Sequence, residues 1–195
     1  MNDTGESSPI ISAIEPAPEE PEPSGRLHVT VLDKAGDWST FVSCEDAIGK
    51  AAAALAQHPG GVGARGVEAC VVLADDAFVQ SLNRAYRGKD APTNVLSFPF
   101  QQPASAAPSD DAEADAAEPR HLGDVVLAAE TVSREADAQG IPPVHHLQHL
   151  VVHGLLHLLG LDHDTDAQAE IMERLEVEIL ATLGVADPYA AAEAR

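Results

Sequence analysis

Residues 142–163 read PPVHHLQHLVVHGLLHLLGLDH, and this stretch decides how the last third of the chain folds. Pro142 and Pro143 open a helix, because the N–H groups they lack would have no partner in its first turn. Gly160 closes that helix by adopting a left-handed conformation. Thr165 and Gln168 then stand at capping-box spacing before a final helix, whose apolar stripe is Ile171, Met172, Leu175, Ile179 and Leu183 and reads as core packing. Towards the N-terminus the pattern alternates. Leu27, Val29 and Val31 repeat at period two, as do Val67, Ala69, Val71 and Leu73, so both segments read as strands. Each precedes a helix: Ala47, Ile48, Ala51 and Leu55 mark the first, and Phe78, Val79, Leu82 and Tyr86 the second, with Asp75 as N-cap and Gly88 as stop. Apolar runs at Asn94–Phe98 and Asp124–Leu127 add two strands. The predicted fold is α+β, a small mixed sheet of about four strands packed with helices.

The chain holds nine histidines, and five of them lie between His145 and His157, with His163 close behind. His153 and His157 are four apart, which puts both imidazoles on one helical face, about 6 Å apart along the axis. That spacing suits bonds of about 2 Å to a shared Zn²⁺. The turn at Gly160 lets His163 fold back as a third ligand. Three neutral imidazoles leave a fourth position open, as in catalytic rather than structural zinc sites, and one Zn²⁺ per chain is expected. The zinc site thus falls on a C-terminal helix and the turn after it. His149, one turn further up, sits about 12 Å along the axis from His157 and reads as a supporting or packing residue. His145 and His146 are assigned no role. The pattern has the skeleton of the metzincin peptidase signature H-E-x-x-H-x-x-G-x-x-H, but Gly154 stands where those peptidases carry the Glu that moves a proton to the leaving amine. A substrate with a better leaving group than an amide is favoured.

Outward from HGLLHLLGLDH, the segment LNRAYRGKDAPTNVLSFPF (82–100), the segment HLGDVVLA (121–128) and the final helix ending in LGV (183–185) complete a combination that resembles the YbeY family of bacterial endoribonucleases. The resemblance runs from Leu27 to Val185, apart from an acidic insertion. It implies a small mixed sheet with helices, zinc held by His153, His157 and His163, and action on single-stranded RNA in ribosomal RNA maturation, at the 3′ end of the small-subunit rRNA, and in ribosome quality control. The implied partners are the rRNA precursor and the ribosome or its small subunit. The family's functionally important Arg corresponds to Arg87. Leu161 is a departure, since an aromatic residue is common there. Arg84, Arg87 and Lys89 also concentrate positive charge at one helix end, and a guanidinium fork suits phosphate oxygens.

Charge opposes this reading at first sight, for the chain carries a formal net charge of -21, whereas proteins that grip phosphate backbones usually present a basic face. Residues 1–24 hold six acids and residues 101–119 five, with no Lys or Arg in either, so the remainder carries 21 acids against 11 bases. Any RNA grip is therefore local. Residues 1–24 are read as a disordered acidic tail, 101–119 as an acidic loop insertion and 25–190 as one catalytic metal-binding domain. Cys44 and Cys70, each in an apolar stretch, fit a reducing compartment, and no export signal or membrane span is expected, so the expected location is the cytoplasm. Two other functions stay open: a zinc metallopeptidase rescued by a remote carboxylate such as Asp162 or Asp124, and a non-catalytic ribosome-binding factor that zinc stabilises.

Overall fold

The computed structural model describes residues 27–59, 66–100 and 120–190. The expected tail 1–24 and insertion 101–119 lie outside the described residues. The elements follow in the order β1 (His28–Asp33), α1 (Cys44–Gln57), β2 (Val67–Ala74), α2 (Asp76–Arg87), β3 (Val95–Pro99), β4 (Arg120–Ala128), α3 (Ala129–Gln139), α4 (Pro143–Leu158) and α5 (Asp166–Thr182). The strands form one sheet in the order β1-β2-β4-β3. β1, β2 and β4 run parallel, and β3 joins the edge antiparallel to β4. The mixed α+β sheet is the one expected.

Period two sorts the strand residues between the two faces. Val67, Ala69, Val71 and Leu73 of β2 and Val125 and Leu127 of β4 join the main core with Ile48 and Leu55 of α1, Val151 and Leu155 of α4, and Met172, Ile179 and Leu180 of α5. Val126 turns the other way, into a smaller core with Leu96 of β3 and Val79 of α2. The helix that bears the histidines and the helix that ends at Arg87 thus pack on opposite faces of the sheet.

Several local expectations are met atom by atom. The Asp75 carboxylate accepts from the Phe78 N–H at 2.7 Å, and Gly88 ends α2 with φ +69°. Thr165 and Gln168 make both halves of the capping box. Two expectations need correction. Ile171 is 48% exposed, whereas Glu176 is fully buried. At about 100° per residue, the inward face of α5 is rotated from the expected stripe towards Glu176 and Leu180. In addition α3 was not expected, since AETVSREADAQ is mostly polar and Ala128 provides no side-chain cap. Its signals are Ala129, Val132 and Ala136 on the buried side and Gly140 at the stop.

Candidate metal centre

The end of α4 builds the site locally. Gly160, at φ +91°, takes a conformation that a residue with a Cβ adopts only under strain. The Leu161 N–H then bonds the Leu156 carbonyl at 3.1 Å and the Gly160 N–H bonds the His157 carbonyl at 3.0 Å, the pair of bonds that defines a Schellman turn. This turn sets the Leu161 carbonyl over His157, whose Nδ1 donates to it at 3.0 Å. It also carries His163 back beside the helix, with its ring centroid 5.0 Å from that of His157 and 5.8 Å from that of His153.

His153 is pinned on its other side. Its Nδ1 donates to Oε1 of Glu176 at 2.8 Å. With both Nδ1 atoms spent as donors, the neutral rings present bare Nε2 lone pairs, and the Nε2 atoms of His153 and His157 face each other at 3.1 Å. Two acceptors at that distance repel unless a cation or an added proton lies between them. The three imidazoles offer nitrogens that all lie within 4.8 Å of one another, so His153, His157 and His163 could hold a metal ion. The chemistry of the donors fits one, since neutral imidazole is the commonest metal ligand. Burial, with the neighbouring rings of His153 and His163, lowers the pKa of His157 and keeps it in that neutral form.

Glu176 is the residue that sequence reasoning missed. Burial works to raise its pKa, but hydrogen bonds from His149, His153 and Tyr189 outweigh it and bring the pKa down to about 2. One signal was present: Glu176 stands four residues after Met172 and three before Ile179, an acid on the buried side of an amphipathic helix. His149 lies next to the cluster and bonds Glu176, in keeping with its expected supporting place. His146 is buried away from the cluster, with Nε2 at 2.8 Å from Oε2 of Glu135. His145 is half-buried and also stands outside the cluster.

The rings open on a cavity of about 550 Å³ lined by Arg87, Val95, Ser97, Pro99, Gly160 and Asp162 among others. Arg87, from the helix on the opposite face of the sheet, lines the same cavity as the histidines, together with Val95, Ser97 and Pro99 of the edge strand β3. It forms no ion pair among the described residues. The other two basic residues of its cluster do not line the cavity; Arg84 lies 4.0 Å from Asp90. Asp162 lines the cavity and accepts from the His163 N–H at 2.8 Å. Asp124 is on the far face, in a groove with Phe98, Phe100 and His121. Gly154 packs on the sheet: a Cβ there would sit 2.6 Å from Cγ1 of Val125 and 3.2 Å from Oγ of Ser97. The peptidase glutamate therefore has no room at this position.

A family model described as Endoribonuclease YbeY matches residues 41–184. The chain belongs to the YbeY endoribonuclease family. It is similar to the Endoribonuclease YbeY of a Bradyrhizobium species, with 48% identity over 174 residues, 89% of this chain and 96% of that one. It is 50% identical to the YbeY of Parvibaculum lavamentivorans over 168 residues, 85% of this chain and 86% of that one. The YbeY of Rhodopseudomonas palustris is 59% identical over 123 residues, 63% of this chain and 69% of that one. The matched YbeY region contains Arg87 and all three clustered histidines.

Proposed function

We propose that this chain is a zinc-dependent endoribonuclease that cuts single-stranded RNA in ribosomal RNA maturation, at the 3′ end of the small-subunit rRNA, and that it serves ribosome quality control. Family membership and the relatives' printed name support the nuclease activity. The observation that carries the metal reading is the pair of Nε2 atoms facing each other at 3.1 Å beside a third imidazole, on rings whose Nδ1 atoms already bond Glu176 and the Leu161 carbonyl. In this reading His153, His157 and His163 hold one Zn²⁺ per chain. When bound, the ion supplies Lewis acidity towards a phosphoryl oxygen.

The residues of the chain do the rest. Arg87, which lines the same cavity as the rings and forms no ion pair among the described residues, holds non-bridging phosphate oxygens with its two-pronged guanidinium and offsets the charge that grows on them. Val95, Pro99 and Leu161 add apolar wall to the cavity beside its polar groups. Gly154 supports a phosphodiester over an amide, because the helix packs against Val125 where a proton-shuttling carboxylate would have to stand. We take residues 25–190 as the catalytic unit, the rRNA precursor and the small ribosomal subunit as its partners, and the cytoplasm as its location. No helix among the described residues is long and apolar enough to cross a membrane.

The direct test incubates zinc-loaded protein with single-stranded RNA, fully paired RNA and denatured casein. Cleavage of the single strand alone is expected. Casein cleavage without RNA cleavage would replace this reading with a peptidase, and no cleavage of any substrate would leave a binding factor.

A further inference from the structure

Glu176 is 0% exposed, and a buried carboxylate is costly unless its oxygens are satisfied. Here both are. Oε1 accepts from Nδ1 of His153 at 2.8 Å, and Oε2 accepts from Nε2 of His149 at 3.0 Å and from the hydroxyl of Tyr189. The two donors on Oε2 come from different elements, α4 and the segment after α5. Turning the carboxylate would break all three bonds, so its plane is locked with Oε1 aimed at His153. Packing alone does not call for an acid here, since the neighbouring inward positions of α5 are Met172, Ile179 and Leu180, and an apolar residue of similar volume would fill the space without burying charge.

We propose that Glu176, held in place by His149 and Tyr189, is the positioning residue of the metal centre: it fixes the Nδ1–H tautomer of His153 and so aims the Nε2 lone pair at the cavity. This rests on reading His153 as a ligand, and gives His149, whose ring stands edge-on to that of His153, and the C-terminal segment a part in a site to which neither contributes a ligand. Hydrogen-bonded carboxylates behind metal-bound imidazoles act in this way, by fixing ring orientation and raising ligand basicity. His157 is held by a backbone carbonyl instead, so Glu176 supports one side of the cluster and the Schellman turn the other.

The test compares wild type with Glu176→Leu, Glu176→Gln and Tyr189→Phe. Three quantities are measured: zinc affinity by chelator competition, the His153 tautomer in metal-free protein by imidazole ¹H–¹⁵N spectra, and the melting temperature. Wild type is expected to show the Nδ1–H form. Glu176→Leu should give a tautomer mixture and weaken zinc binding by roughly 10–100-fold, while melting stays close to wild type. Glu176→Gln, which keeps one acceptor, and Tyr189→Phe, which unlocks the carboxylate, should lose less affinity in the same order of measurement. A residue that only fills the core would lower melting and leave affinity and tautomer alone, and that result overturns the proposal. If the Leu variant does not fold, Tyr189→Phe decides, and wild-type affinity there counts against the role. Wild-type protein without zinc would sink the metal reading itself and this proposal with it; zinc in wild type with unaltered affinity in the variants sinks only the role of Glu176.

Discussion

At the scale of single residues, the site divides into groups that face the cavity and groups that aim them. His153 and His157 offer bare nitrogens 3.1 Å apart, and removing both leaves only one imidazole of the three. The double variant His153→Ala, His157→Ala is expected to lose its zinc, and elemental analysis showing one ion per chain in it would remove these ligands. Arg87 is exposed and unpaired among the described residues, so its loss should cost little stability. Arg87→Ala is expected to keep its zinc and its melting temperature while single-turnover RNA cleavage falls about 10²-fold or more, the scale for losing one donor to developing charge. Arg87→Lys should recover part of that rate, because an ammonium keeps the charge and loses the fork. Full recovery by Lys, with a lowered melting temperature in the Ala variant, would instead mark Arg87 as a helix-end cation acting on the dipole.

Among the elements, α4 has two demands on it, to present histidines on one side and to lie close to the sheet on the other. Gly154 serves the second. A methyl group at Gly154 would meet Val125 at 2.6 Å, and Val125 is a β-branched side chain fully buried in the core, stiff about χ1. Gly154→Ala is therefore expected to destabilise the fold by about 1–2 kcal/mol, overpacking outweighing the better helix propensity of Ala. Thermal melting checks it, and a rise in melting temperature would show that the helix can move off the sheet. At the start of α5 the capping box has both its bonds, with the Thr165 N–H bonding the Gln168 side chain at 3.1 Å. Thr165→Ala is expected to cost about 1 kcal/mol, read as a lower denaturation midpoint with an unchanged slope. Zinc stoichiometry should not change, since Thr165 is not among the cavity residues.

For the molecule as a whole, charge sets the terms of substrate encounter. The acids of residues 1–24 and 101–119, with no base in either stretch, repel a phosphate backbone at low salt. Deleting both is expected to leave zinc content and cleavage intact and to speed RNA association at low ionic strength, as stopped-flow fluorescence would report; a folded, zinc-loaded deletion variant that cannot cut RNA would give one of them an active part. The sequence by itself determined most of what depends on local periodicity: the four strands, the helices α1, α2, α4 and α5, the capping box, and the three histidines that one helical face and a glycine turn bring together. These features repeat within a turn or two of the chain, so neighbouring residues carry them. It did not disclose α3, whose polar surface dilutes the period, or the full inward face of α5, where Met172, Leu175, Ile179 and Leu183 of the expected stripe pack on the core but Ile171 is exposed and Glu176 is buried. Only the tertiary structure decided that Glu176 stands behind His153, that Arg87 of α2 lines the same cavity as the histidines, that Asp124 lies on the far side of the sheet, and that Gly154 lies against Val125. Those are meetings between elements far apart in the chain, set by how α2, α4 and α5 pack around the sheet, and no local repeat encodes them.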